Sequence, residues 1–381
     1  MQSSNNQPVS GQMQAQAVPA MMSEAIDEAM LSVIRAPKEK ASTLDLAANE
    51  VPILDLGAYL AGEPGALDAV ARDLLYASTH VGFYFVSNHG IPQALIDRVF
   101  GESARFHALP QDDKEALKLD KNKIGYFGTG TTGGRRPGIK PNLYSAFCVR
   151  EDLAADDPDV LAGKPFRGLN QWPSDLPGFR ETVMEYLHAV QDLGRSMLPI
   201  YARALNLPLD YFDKAFEKPL LNMQLNHYEQ QEVFEGDEFG LAPHTDRTFI
   251  TLLAQAQVPG LEIQPASGTW FTAPVLPGHF LVNTGDLLRL WTNEKFLSTP
   301  HRVINTSNVE RHSIPFFFNP DPDTLVECLP TCQSAEDPPR HPPLKYIDFY
   351  EWFVRRGYPD IRSALAAKQA AEAEAGNGTA A

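Results

Sequence analysis

The chain has 381 residues, 43% hydrophobic and 10% aromatic, enough for one large or two ordinary globular domains with a real core. Its 32 basic and 48 acidic residues give a net charge of −16 at pH 7, which disfavours nucleic acid and anionic membrane surfaces as partners. No stretch approaches the roughly 18 consecutive apolar residues of a membrane helix. The cysteines, Cys148, Cys328 and Cys332, are odd in number and form no CxxC pair, and no basic-then-apolar leader opens the chain. A cytoplasmic protein without a disulfide framework is expected.

Residues 1–20, rich in Gln, Ser and Asn, are expected to be disordered. Residues 21–35 predict a short amphipathic helix through Met22, Ile26, Met30 and Ile34. Val51–Leu56 reads as a short buried strand, and residues 66–79 as a helix with Leu67, Val70, Leu74 and Ser78 on one stripe. Gly82–Val86 is a strand by its aromatic and β-branched content. Residues 92–107 read as a helix, with Pro92 in its first turn. The Gly-, Thr-, Arg- and Lys-rich residues 121–140 read as a loop. Residues 177–205 carry the longest helical pattern, which Pro199 should kink or end. After about residue 218 the pattern changes to short alternating runs broken by Gly, Pro and Asn, the mark of a β-sandwich or barrel. An Ala-rich polar stretch closes the chain.

His244-Thr245-Asp246 opens the β-rich half. Alternate residues of a strand share a face, so His244 and Asp246 can aim into one cavity. One imidazole and one carboxylate are two members of a 2-His-1-carboxylate set, which leaves coordination positions open and marks non-haem iron(II) oxygenases. The third ligand has to be a histidine, with His279, His301, His312 and His341 as the candidates downstream. His301, at the head of a β-branched run, is placed best. Arg311 and Ser313 follow on one strand face. A guanidinium fork with a neighbouring hydroxyl suits a carboxylate, such as the distal one of a 2-oxo acid whose other end chelates a metal.

Together these segments resemble the isopenicillin N synthase-like family of iron(II)- and 2-oxoglutarate-dependent oxygenases. The resemblance covers roughly residues 50–330, through VPILDL, GFYFVSNHGIP, FHALP, LNMQLNHY, LAPHTDRTFITLLAQAQVPGLEIQ, GTWFTAPVLPGHFLVNTGD, STPHRVIN and RHSIPFFFNPDPD. It implies a mixed α+β fold with a double-stranded β-helix, or jelly-roll, core and flanking helices. The expected organisation is a disordered tail with a short helix at 1–48, an N-terminal dioxygenase region at 49–170, a long helical connection at 171–217, the jelly roll at 218–330, and a helical extension and tail at 331–381, the two tails lying outside the resemblance. The resemblance assigns Fe(2+) to His244, Asp246 and His301, and the cosubstrate 2-oxoglutarate to Arg311 and Ser313. Asn226 and Tyr228, which share strand parity with Gln224, are implied near its other end. Glu229 stands where many members carry a proline after that tyrosine.

The implied activity consumes O2 and 2-oxoglutarate, oxidises a small organic molecule, with hydroxylation as the default outcome and desaturation or ring closure as the other ones, and releases succinate and CO2. Two alternatives share the scaffold: an oxidase that does without 2-oxoglutarate, and a catalytically silent binding protein. For the substrate, Phe317 has the parity to line the cavity. Tyr126, Arg135 and Lys140 in the Gly-rich loop, with Asn142 beside it, are expected over the opening.

Overall fold

Side-chain alternation sorts the strands of this protein into faces, and among the described residues those strands build two main sheets and a separate two-stranded one. The computed structural model describes residues 51–133, 140–230, 238–254, 257–305 and 307–357, which lie in one compact unit, Lys40–Ala381. In chain order the main elements are β1 (Ile53–Asp55), α1 (Ala66–His80), β2 (Phe83–Ser87), α2 (Gln93–His107), β3 (Gly125–Phe127), β4 (Ser145–Val149) and α3 (Phe179–Ala204). There follow β5 (Asn222–Tyr228), β6 (Leu241–His244), β7 (Ile250–Ala254), β8 (Leu261–Ile263), β9 (Phe271–Thr272), β10 (Phe280–Thr284) and α4 (Asp286–Trp291). The last are β11 (His301–Val303), β12 (Arg311–Phe318), β13 (Leu325–Val326), β14 (Leu344–Lys345) and α5 (Tyr346–Gly357).

The larger sheet has eight strands in the order β1-β2-β10-β7-β12-β5-β4-β3, and the smaller has four in the order β6-β11-β8-β9. This is the jelly-roll arrangement expected for the C-terminal half, with one addition. The N-terminal strands form no layer of their own but extend the larger sheet at both edges. The inner face of that sheet carries Gln224, Asn226 and Tyr228 of β5 and Arg311, Ser313 and Phe317 of β12, all lining a cavity of about 260 Å³. The register places Arg311 opposite Tyr228 and Ser313 opposite Asn226, as the shared parity requires. Residues one step out of phase, such as Met223, Leu225, Ile314 and Phe316, are buried on the other face.

Helix α3 runs through Pro199 instead of ending there. Leu198, Ile200, Tyr201, Ala202 and Ala204 around the proline are all buried. Burial of several such side chains, at about 1.5–3 kcal/mol for a large apolar one, outweighs the ~3 kcal/mol cost of a helical proline. Pro92 caps α2 in an extended conformation instead of joining its first turn. The segment 121–140 is not all loop, because Gly125–Phe127 forms the wholly buried β3 and pairs with β4. All three cysteines are free thiols. No helix among the described residues is long and apolar enough to cross a membrane. The helix expected at 21–35, the expected disordered residues 1–20, the Ala-rich C-terminal stretch and Arg135 lie outside the described residues.

Candidate metal centre

Strands β6 and β11 pair antiparallel with His244 directly opposite His301. The two rings sit 4.3 Å apart between centroids. His244 Nδ1 lies 2.8 Å from the Ala242 carbonyl and His301 Nδ1 3.2 Å from the Thr299 carbonyl. Each Nδ1–H therefore donates to backbone, and each Nε2 keeps its lone pair for the cavity. Both Nε2 atoms lie 3.7 Å from the same oxygen, Asp246 Oδ1.

Asp246 reaches this point by a route that strand alternation alone does not describe. Strand β6 ends at His244, and Asp246 stands on the turn that follows. Its backbone carbonyl accepts from Asp286 N at 2.7 Å, while the Thr248 and Phe249 carbonyls accept from Leu287 and Gly285. The otherwise orphaned N–H groups at the start of α4 thus hold the turn. The other carboxylate oxygen, Oδ2, accepts from Thr251 Oγ1 at 2.6 Å and Asn283 Nδ2 at 2.8 Å. That leaves Oδ1 directed at the histidines. Thr245 donates away from the pair, to Asp286 Oδ2 at 3.0 Å.

The electrostatics follow from this packing. Burial and the neighbouring His301 hold His244 well below the ordinary imidazole range, so it is neutral at pH 7. Burial pushes Asp246 up, but His301, His244 and the hydrogen bonds from Thr251 and Asn283 outweigh it and leave the carboxyl below its usual value. Two imidazoles and one carboxylate are ready ligands for a borderline divalent ion. Gly285 keeps this turn in place, because a Cβ there would collide with the Thr248 carbonyl and hydroxyl. Gly285→Ala is expected to cost about 1–3 kcal/mol of stability and to weaken metal binding, as read by thermal melting with and without iron(II).

Arg311, Ser313 and Tyr228 are buried, and Arg311 Cζ stands 4.9 Å over the Tyr228 ring. Arg311 Nε donates to the Val258 carbonyl at 3.3 Å, but Nη1 has no partner, nor has Asn226 Oδ1. Burial lowers the guanidinium pKa, and among the described residues no carboxylate pairs with it. A buried cation beside orphaned polar atoms costs free energy unless a ligand completes it. An incoming carboxylate supplies what is missing.

Phe317 and Asn142 also line the cavity. Asn142 is braced by Thr132 Oγ1 at 3.2 Å and accepts from Ala242 N at 2.9 Å. Tyr126 does not take the expected position over the opening. Its ring packs 6.0 Å from Phe106 and 6.4 Å from His107 on the helix side of the sheet. Pairing of β3 with β4 sets the parity, and Phe127 is the residue turned towards the inner cluster with Tyr144 and Tyr228. Lys140 pairs with Glu238 at 2.9 Å. Sequence reasoning missed Lys123, Arg247, Tyr350 and Phe353, which share the cavity wall. Arg247 pairs with Asp286 and stands 5.9 Å over Phe353. Burial lowers it to about 10, which still leaves it charged at pH 7. The aromatic run YIDFYEWF was the one signal for α5 as a wall.

Residues 220–320 match the model of the 2OG-Fe(II) oxygenase superfamily, and residues 51–175 that of the non-haem dioxygenase in morphine synthesis N-terminal region. A 2-oxoglutarate-Fe(II) type oxidoreductase of Emericella nidulans, hxnY, is 35% identical over 81% of this chain and 90% of its own length. Kihadalactone A synthase of Citrus sinensis is 34% identical over 79% of this chain and 92% of its own. The crystal structure of a putative 2OG-Fe(II) oxygenase family protein from Caulobacter crescentus superposes with a TM-score of 0.72 at 26% identity, covering 81% of this chain and 99% of that one. The chain belongs to the 2OG-Fe(II) oxygenase superfamily and is an iron(II)- and 2-oxoglutarate-dependent oxygenase of small organic molecules.

Proposed function

We propose that His244, Asp246 and His301 hold the iron, that Arg311 and Ser313 grip the distal carboxylate of 2-oxoglutarate, and that the enzyme hydroxylates a small organic substrate. The observation that carries this reading is the convergence of three ligand atoms within 4.8 Å of one another in the same cavity as a buried guanidinium with an unpartnered nitrogen. Iron(II), when bound, supplies the activation of O2 that couples oxidative decarboxylation of 2-oxoglutarate to oxidation of the substrate.

The chain's own part is positioning. The backbone carbonyls of Ala242 and Thr299 fix both imidazole tautomers, and Thr251 with Asn283 fixes the rotation of the carboxylate. Tyr228 and Asn226 stand opposite Arg311 and Ser313 in the strand register and flank the carboxylate anchor. Phe83, Leu253 and Phe317 make the wall apolar and exclude bulk water, which strengthens every polar contact inside. Phe317, Asn142 and the α5 side chains Tyr350 and Phe353 form the surface against which a substrate is seated.

Succinate production in step with oxidised product, in a screen of small organic acids and heterocycles, tests the reaction class. Oxidised product without succinate would overturn it. The bracing of Asp246 is tested separately. Thr251→Val keeps the shape and removes one hydrogen bond, and iron affinity is expected to fall by about 10-fold. An anaerobic iron(II) titration with 2-oxoglutarate, followed by its visible charge-transfer band, measures the change.

A further inference from the structure

The outer faces of β5 and β12, turned away from the iron cavity, carry a second cluster of ligand-type side chains. His227 and His312 stand opposite each other in the strand register, with ring centroids 4.9 Å apart. Glu310, just ahead of β12, brings a carboxylate oxygen 3.3 Å from His227 Nε2. One donor atom from each of the three lies within 4.8 Å of the others. His227 Nε2 is buried and makes no hydrogen bond. His312 Nδ1 lies 3.0 Å from Ser103 Oγ of α2, which orients the ring and leaves Nε2 as its free nitrogen. The adjacent His107 is committed elsewhere, through Nε2 to the Leu225 carbonyl at 2.9 Å and Nδ1 towards Ser145 Oγ at 3.4 Å.

We propose that His227, Glu310 and His312 form a second metal site, selective for a zinc-like divalent ion, with solvent completing its coordination. Two imidazoles and a carboxylate suit borderline ions; calcium and magnesium require oxygen-rich shells that this cluster lacks. The exposed Glu310 side chain, 66% accessible, leaves an entry path. His312 lies between Arg311 and Ser313, and His227 between Asn226 and Tyr228. An ion here therefore ties together, from behind, the two strands whose inner faces carry the carboxylate anchor. This proposal stands independently of the iron assignment.

Zn2+ alone is the probe, titrated into the full-length apo protein against a chromophoric chelator. Wild type is expected to bind two equivalents, and His244→Ala to retain one. In the His244→Ala background Zn2+ should still raise the melting temperature. Adding Glu310→Gln, at an exposed position that folding tolerates, should lower the affinity of the retained equivalent by at least about 10-fold and remove that thermal shift. His312→Gln should do the same, with circular dichroism confirming the fold. No equivalent bound by His244→Ala, or unchanged affinity after Glu310→Gln, would each overturn the proposal.

Discussion

Asp246→Ala is expected to abolish 2-oxoglutarate turnover, with a loss larger than the 10–100-fold that removing an outer hydrogen-bond partner costs by rough rule. The reason lies in the division of labour between the two oxygens. Oδ2 is taken by Thr251 and Asn283, and Oδ1 is equidistant, at 3.7 Å, from both histidine Nε2 atoms. Among the described residues no other carboxylate lies in this ligand group, so none of them replaces the lost negative charge. The variant also leaves Thr251 and Asn283 without their acceptor in a buried setting, at a cost of about 1–3 kcal/mol. Activity must therefore be normalised to the folded fraction by circular dichroism. Succinate formation within about threefold of wild type on that basis would remove Asp246 from the ligand set.

Arg311→Met is expected to pull activity and stability in opposite directions. The KM for 2-oxoglutarate should rise by about 100-fold or more, because a charge-assisted pair with a carboxylate in a buried site is worth roughly 2–5 kcal/mol when one partner is removed. The apo protein should melt at a higher temperature, because the variant replaces a buried cation and its unpartnered Nη1 by an apolar side chain of similar length. Arg311→Lys should fall between, since an ammonium keeps the charge but not the planar fork. A merely structural arginine would show the reverse pattern, with lower stability and an unchanged KM.

Much of the site was legible because it obeys a period of two. Gln224, Asn226 and Tyr228 face the cavity together, as do Arg311, Ser313 and Phe317. His301 at the head of β11 meets His244 across a ladder. What stayed hidden depends on pairings between distant segments. The register that places Asn283 beside Thr251 joins β10 to β7, and only then can both reach Asp246. Tyr126 was misplaced because its facing is set by the pairing of a three-residue strand in a Gly-rich stretch with β4. The cavity role of α5 was invisible, because an amphipathic aromatic helix does not announce which surface it covers. For a related reason Pro199 does not end its helix. Local rules read the backbone, whereas the buried surface on both sides of it decides the outcome.

The placement of the N-terminal strands bears on how this enzyme can be divided. β2 covers the free edge of β10, and β4 covers the free edge of β5. A fragment that begins after α3 would keep every proposed ligand and anchor residue yet expose two rows of unpaired N–H and C=O groups. Such edges recruit other chains, and aggregation is their usual fate. The segment that holds the chemistry is therefore not a self-sufficient folding unit. Its N-terminal partner acts as a built-in guard against self-association, contributing no ligand while making the reactive half manageable in solution.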